Sequence, residues 1–230
     1  MNTNEFRIIH KDDLPLGGFA GIVETRMVMN PSLWASAKNR TDISHGLGDF
    51  IYLANGYFKA DDGAPMHPHS NVDIVSFIPK GAVGHTGSMG HGTTITGPGV
   101  QVQRAGTGIQ HSEFSLNGET ADLVQIWFNP PEKDLEPAYR DFKLEKNGLT
   151  TVLGGNEADT FHNTMTCKIG YLNDHEILSL DGPFIVLVTD GTAIANGIPV
   201  KAGDLIEGNS LELTSHESLG LVVIHFTENS

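Results

Sequence analysis

The sequence predicts an all-β protein made of two antiparallel β-barrels in one chain. Short runs rich in β-branched and aromatic residues recur along it, as in "FIYLANGYFKA" (50–60) and "PFIVLVTDG" (183–191). Gly, Pro, Asn and Asp break these runs at short intervals, which is the pattern of sandwiches and barrels rather than of βαβ units. The two halves also echo each other: "GTTITGPGV" (92–100) and "GIPVKAGDLIEGN" (197–209) each set an extended stretch beside a Gly/Pro turn and a further strand.

In chain order, strands are expected at "FIYLANGYFKA", "DIVSFIPKGAV", "TTITGPGVQVQRAG" and "DLVQIWFNP". A polar stretch follows, "NPPEKDLEPAYRDFKLEKNG" (129–148). Residues 132–142 are expected to form a short helix, with Pro137 arguing against a long one. This stretch is taken as the junction between an N-terminal domain, 1–131, and a C-terminal domain, 132–230. Strands resume at "MTCKIGYL", "HEILSL", "PFIVLVTDG", "TAIANGIPV", "SLELTS" and "LGLVVIHF", with "TDGT" (189–192) expected as a hairpin turn.

Bulk composition narrows the function. The 230 residues carry 28 Asp and Glu against 14 Lys and Arg, a net charge of −14, which disfavours direct contact with nucleic acid or an anionic membrane. Cys167 is the single cysteine, so no intramolecular disulfide can form, and "TMTCKIGY" reads as core. The first residues lack the apolar stretch of a signal peptide and no run is long enough for a membrane span, so a cytoplasmic location is expected. Templates for a serine hydrolase, a phosphate-binding loop and C-x-x-C are missing, and "KADDGAP" (59–65) reads as a solvated turn.

The chemistry lies in the histidines. In "APMHPHSNVDIVSFIPKG" (64–81), His67 and His69 share a face if the segment is a strand. Pro68 between them lacks an N–H, which suits a strand's first residues or an edge. Two such imidazoles could ligate a metal or simply face solvent. A second group, His111 and Glu113 in "AGTGIQHSEF" (105–114), repeats the alternation. Two such strands side by side would bring three imidazoles and one carboxylate together. That N3O set suits Fe(II), Mn, Ni, Cu or Zn and leaves coordination positions free. With no thiolate, a closed structural zinc site is disfavoured. His85 could reach the site from behind the ligands, although a structural role is the plainer expectation. His10, His45, His91, His162, His175, His216 and His225 have no partner at ligand spacing and read as ordinary surface or core residues.

These residues resemble the pirin family of bicupins. "HPHSNVDIVSFIPKGAVGHTGSMG" is similar to the pirin segment that opens with His-Pro-His, and "PGVQVQRAGTGIQHSE" to its second signature, ending in His-Ser-Glu. The resemblance is strong over about residues 14–130 and weaker beyond. Two departures stand out. Where the family usually has Arg-Gly-Phe-Glu after His-Pro-His, this chain has Ser70, Asn71, Val72 and Asp73. The usual Trp after Val-Gln is Val102, followed by Gln103 and Arg104.

The resemblance implies a bicupin, two jelly-roll barrels, with one divalent transition metal in the N-terminal barrel on His67, His69, His111 and Glu113. Fe(II) is the first expectation, with Mn, Ni, Cu, Co or Zn as alternatives, and the C-terminal barrel is expected to hold no metal. It further implies a quercetin 2,3-dioxygenase type of activity on a flavonol-like aromatic substrate with O2, Glu113 being the candidate base. The alternative is an iron-dependent, redox-sensing regulator that acts through a protein partner.

Overall fold

The computed structural model describes residues 6–90 and 92–227; His91 lies outside the described residues. Its strands are β1 (Arg7–His10), β2 (Leu16–Phe19), β3 (Ile22–Met29), β4 (Phe50–Phe58), β5 (Gly63–His69), β6 (Asp73–Ile78), β7 (Ala82–Gly87), β8 (Gly92–Thr96), β9 (Gly99–Arg104) and β10 (Ile109–Ser115). They continue with β11 (Ala121–Phe128), β12 (Ala138–Lys143), β13 (Gly148–Leu153), β14 (Met165–Leu172), β15 (Ile177–Asp190), β16 (Thr192–Ala195), β17 (Ile198–Lys201), β18 (Asp204–Ser215) and β19 (Leu219–Phe226). Two short 3-10 helices, Lys11–Asp13 and Ala35–Ala37, are the helical segments among the described residues. No helix among them is long and apolar enough to cross a membrane.

The chain forms two compact units, Leu14–His45 with Asp49–Lys143, and Met1–Asp13 with Gly46–Gly48 and Leu144–Ser230. These bounds differ from the expected junction at 131/132 at both ends, for one reason: strand pairing outweighs position in the chain. β12 pairs with β9 along its whole length, which carries the first unit to Lys143. β1 pairs with β18, and Phe6 and Ile8 pack on the second unit's core, which takes the N-terminal segment out of the first. The short helix expected within 132–142 is instead a turn followed by the strand β12, whose backbone completes a ladder with Gly99–Arg104.

In the first unit a seven-stranded antiparallel sheet, ordered β12-β9-β6-β11-β4-β3-β2, accompanies a four-stranded sheet ordered β5-β10-β7-β8. Ile22, Phe58, Ala64, Ile78, Val83, Ile95, Ala121 and Leu123 form one buried cluster, and Val72, Ile74, Ala105 and Ile109 another. Pairing of every strand on a half-buried surface is what the β-branched runs provide.

The second unit is one sheet, β13-β14-β19-β15-β18-β16-β17, with β1 added against β18. Its core includes Phe184, Val186, Val188, Ile206, Leu213, Leu221 and Val223. "HEILSL" and "PFIVLVTDG" merge here into the single strand β15, with an irregularity between Asp181 and Phe184. "TDGT" is not a hairpin turn between partners, since β15 lies against β18 and β19 while β16 lies against β17 and β18. The true two-residue hairpin is Asn196-Gly197, inside a segment expected as one strand. Both residues have positive φ (48° and 81°), the conformation that a type I′ turn needs. Cys167 is fully buried in this unit. Burial pushes its thiol well above the ordinary range, in keeping with a core role.

One ion pair joins two strands of the seven-stranded sheet that faces the site. Asp73 and Arg104 are cross-strand partners on β6 and β9, joined through Nε at 2.9 Å and Nη2 at 2.8 Å. Asp73 is fully buried, while the Arg104 side chain is 11% exposed. Both stand where the sequence departs from the usual family pattern, so the two departures meet in one contact. Removing one partner of such a pair leaves a buried charge uncompensated, typically at a cost of about 3–5 kcal/mol. Asp73→Ala is therefore expected to lower unfolding stability by that order in urea titrations. The double variant Asp73→Leu/Arg104→Leu should be the less damaged of the two, and the reverse ranking would contradict a paired-charge role.

Candidate metal centre

Three strands deliver the candidate residues. His67 and His69 end β5, the edge strand of the four-stranded sheet, where Pro68 gives up no ladder bond that the edge requires. β10 lies antiparallel to β5 with His111 opposite His67 and Ile109 opposite His69. The register shifts between His111 and Glu113, and β7 on the other side sets His85 opposite Glu113. Gly63 permits the close approach of β5 to β10: a Cβ there would meet the Glu113 carbonyl oxygen at 1.9 Å and the Phe114 Cα at 2.7 Å.

The side chains converge inside the barrel. His67, His69 and His111 form one group whose potential ligand atoms all lie within 4.8 Å of one another, and His85, His111 and Glu113 form another. Glu113 thus meets His85 at the level of their cross-strand pairing, and His111 belongs to both groups. His67 Nε2 and His111 Nε2 stand 2.9 Å apart, and His111 Nδ1 stands 2.9 Å from His85 Nε2. The Pro65 carbonyl accepts a hydrogen bond from His67 Nδ1 at 2.8 Å, which leaves His67 Nε2 as a bare acceptor.

Burial sets the electrostatics. Desolvation, with His67 as a secondary contributor, takes His69 down to about 4. Desolvation and then the neighbouring imidazoles take His111 down to about 2. Both rings are therefore neutral at pH 7, the form in which imidazole ligates metals. Glu113, 1% exposed, is pushed up to about 7 by burial against the opposing pull of the Ser76 hydroxyl, which donates to Oε1 at 3.4 Å.

The donor set fits a cation. Among the described residues, His69 Nε2 and Glu113 Oε2 are buried with no hydrogen-bond partner, a costly arrangement for polar atoms that have nothing to bind. Two nitrogens each roughly 2.0–2.1 Å from one ion, at right angles, would lie about 3 Å apart, which matches the His67–His111 spacing.

Around the cluster, sequence reasoning missed two features. Gln101 and Gln103 of β9 are buried, and Gln103 Nε2 lies 3.1 Å from His85 Nε2. The alternation in "VQVQ" (100–103) was their signal, since it puts both amides on one face. The other is an aromatic wall beside His69: its ring meets Trp127 edge-on at 5.4 Å, and Trp127 stacks at 4.8 Å on Tyr52, whose hydroxyl donates to Glu24. An open cleft of about 470 Å³ borders His69, lined by Pro68, Ser70, Ser88, Gly108, Ile109 and Gln110.

Comparison with known proteins gives the family. Residues 37–128 match the Pirin family. The quercetin 2,3-dioxygenase of Escherichia coli K12 is 34% identical over 168 residues, spanning 69% of this chain and 73% of that protein. A pirin-like protein of Caulobacter vibrioides is 29% identical over 170 residues, 69% of this chain and 68% of that one. The bacterial pirin YhhW of Escherichia coli, solved in complex with nickel(II), superposes with a TM-score of 0.83 over 97% of this chain and all of that one. At 19% identity it speaks to the fold. On its two histidine motifs, its fold and these relatives, the chain belongs to the pirin family.

Proposed function

We propose that this protein is a metal-dependent dioxygenase of the quercetin 2,3-dioxygenase type, with one divalent transition metal held by His67, His69, His111 and Glu113. The observation that carries this reading is the pair of buried, unpartnered ligand atoms, His69 Nε2 and Glu113 Oε2, beside two imidazole nitrogens at coordination spacing. The quercetin 2,3-dioxygenase name of the Escherichia coli relative supports the substrate class. Fe(II) is the first candidate, and the donor set also suits Mn, Ni, Cu, Co or Zn. Such an ion supplies Lewis acidity and, if redox-active, the one-electron steps that O2 chemistry requires.

The chain's own residues would do the rest. The cleft beside His69 would seat a flat aromatic substrate with its acidic hydroxyl toward the cluster. Glu113 Oε2 would take the proton of a flavonol 3-hydroxyl, since a carboxylate can leave a metal to accept a proton where imidazole ligands do so less readily. Ser76 would hold the other oxygen and so keep Oε2 toward the substrate. The aromatic wall of half-buried Trp127 and buried Tyr52 would shield the face of His69 from water.

Metal analysis with a visible-absorbance assay on quercetin in air tests this reading. The native protein should carry about one metal per chain and bleach quercetin, and both properties should be lost in His69→Ala. Stoichiometric metal without bleaching would overturn the flavonol reading and favour the redox-regulator alternative. Glu113→Gln should lose about 10²–10⁴-fold in turnover, the usual range for a general base, with a smaller loss of metal. Equal losses would reduce Glu113 to a ligand.

A pH prediction follows for the metal-free protein. Because the folded Glu113 carboxyl titrates near 7 against an ordinary 4.5, its protonated form favours the fold. That contribution is full below pH 4.5 and is lost as pH rises through 7, at about 3 kcal/mol in all. Glu113→Gln mimics the protonated form. Its stability relative to wild type should therefore improve by that order between pH 4.5 and pH 8 in denaturant titrations. A pH-independent difference would show that the carboxylate is buried without penalty.

A further inference from the structure

We propose that a hydrogen-bond chain from Asp141 through Gln101, Gln103 and His85 sets the tautomer of His111, keeping His111 Nε2 free of a proton for the metal. This rests on the metal centre proposed above, and it makes Gln103 a positioning residue. The chain runs across three strands. Gln101 Nε2 donates to Asp141 Oδ1 at 2.9 Å, and Gln103 Nε2 donates to Gln101 Oε1 at 3.1 Å. The same Gln103 amide nitrogen lies 3.1 Å from His85 Nε2, which in turn lies 2.9 Å from His111 Nδ1.

The direction of these bonds follows from its outer end. A carboxylate only accepts, so Gln101 must turn its NH2 to Asp141 and its carbonyl to Gln103. Gln103 must then present NH2 to Gln101, and the second hydrogen of that group faces His85 Nε2. His85 Nε2 is thereby an acceptor whose one lone pair is shared between the Gln103 amide and His111 Nδ1, and the proton between the two rings sits on His111 Nδ1. A neutral imidazole carries one proton, so His111 Nε2 is bare. It faces His67 Nε2, bare for its own reason, the bond from Nδ1 to Pro65. Two lone pairs at 2.9 Å repel each other and attract a cation.

The opposite direction gains a bond between the two imidazoles, loses the one at Asp141, and closes the site. If Gln103 turned its carbonyl to His85, His85 Nε2 would donate, His111 Nδ1 would accept, and the proton on His111 Nε2 would bridge to His67 Nε2. That proton occupies the position where a metal binds. Left to itself the imidazole cluster would take this second direction, which puts a bond where two lone pairs would otherwise face each other. Asp141, an exposed residue on β12, opposes it, because the reversed chain would turn the Gln101 carbonyl onto its carboxylate.

Selective ¹⁵N-histidine labelling of the metal-free protein reads the tautomer directly, and calorimetric titration with Ni²⁺ reads the affinity. Wild type should show His111 protonated at Nδ1. Gln103→Glu puts an acceptor beside His85 and should reverse the chain: His111 becomes protonated at Nε2, and Ni²⁺ affinity falls about 10–100-fold, the usual effect of disturbing a group behind a metal ligand. Simple charge attraction predicts the reverse, tighter Ni²⁺ binding, so the sign decides. Gln103→Leu removes the donor without supplying an acceptor and should give mixed tautomers with a smaller loss. Should the Glu variant fail to fold, Asp141→Lys reverses the chain from the exposed end and should give the same tautomer change. An unchanged His111 tautomer in these variants would overturn the proposal. A wild type that binds no Ni²⁺ would overturn the metal centre alone, because the tautomer is read without metal.

Discussion

The antiparallel register between Gly63–His69 and Ile109–Ser115 is the constraint on which the site depends. It sets His111 opposite His67 and Ile109 opposite His69. Side chains alternate across a strand, so a slip of one residue would turn the imidazoles to the other face and empty the cluster. The glycine at 63 lets the two backbones meet closely where the register shifts, and that shift brings Glu113 level with His85 on the neighbouring strand. Buried contacts of Ala64, Val83 and Ile95 anchor the strands of the same sheet in the core.

The interior is costly as well as ordered. Burying imidazoles, amides and a carboxyl in one barrel penalises every polar atom left unpaired. The fold answers with partners drawn from the facing sheet: Ser76 for Glu113, Gln103 for His85, and Gln101 with Asp141 behind them. After those bonds are made, His69 Nε2 and Glu113 Oε2 still lack partners. Stability and function pull apart at these two atoms, where a bound cation would reconcile them. The Asp73–Arg104 pair, by contrast, satisfies its buried charge internally and holds the strands Asp73–Ile78 and Gly99–Arg104 in register.

The histidine motifs were legible because the information is local. His-x-His and His-x-Glu fix a shared face by period two wherever the segment is extended, and Pro68 marked the edge position that β5 occupies. The buried Cys167 and the exposed turn at Asp61–Asp62 were legible for similar reasons. The stretch 132–142 was misread because a short polar segment has little helical or strand preference of its own; its strand exists only because Gly99–Arg104 offers a ladder. "TDGT" has good turn chemistry, yet the chain after it pairs elsewhere, while Asn196-Gly197 carries the hairpin.

By itself the sequence determined an all-β chain and the alternation that pairs His67 with His69 and His111 with Glu113. Alternation, turn residues and composition act over a few positions and need no partner. Tertiary structure alone decided which strands are neighbours. It moved the first residues onto the second unit, set His85 between His111 and Gln103, and reached out to Asp141 for the far end of the chain of amides. Those contacts join residues 18 to 40 positions apart or farther, and strand order, which no local pattern encodes, is what brings them together.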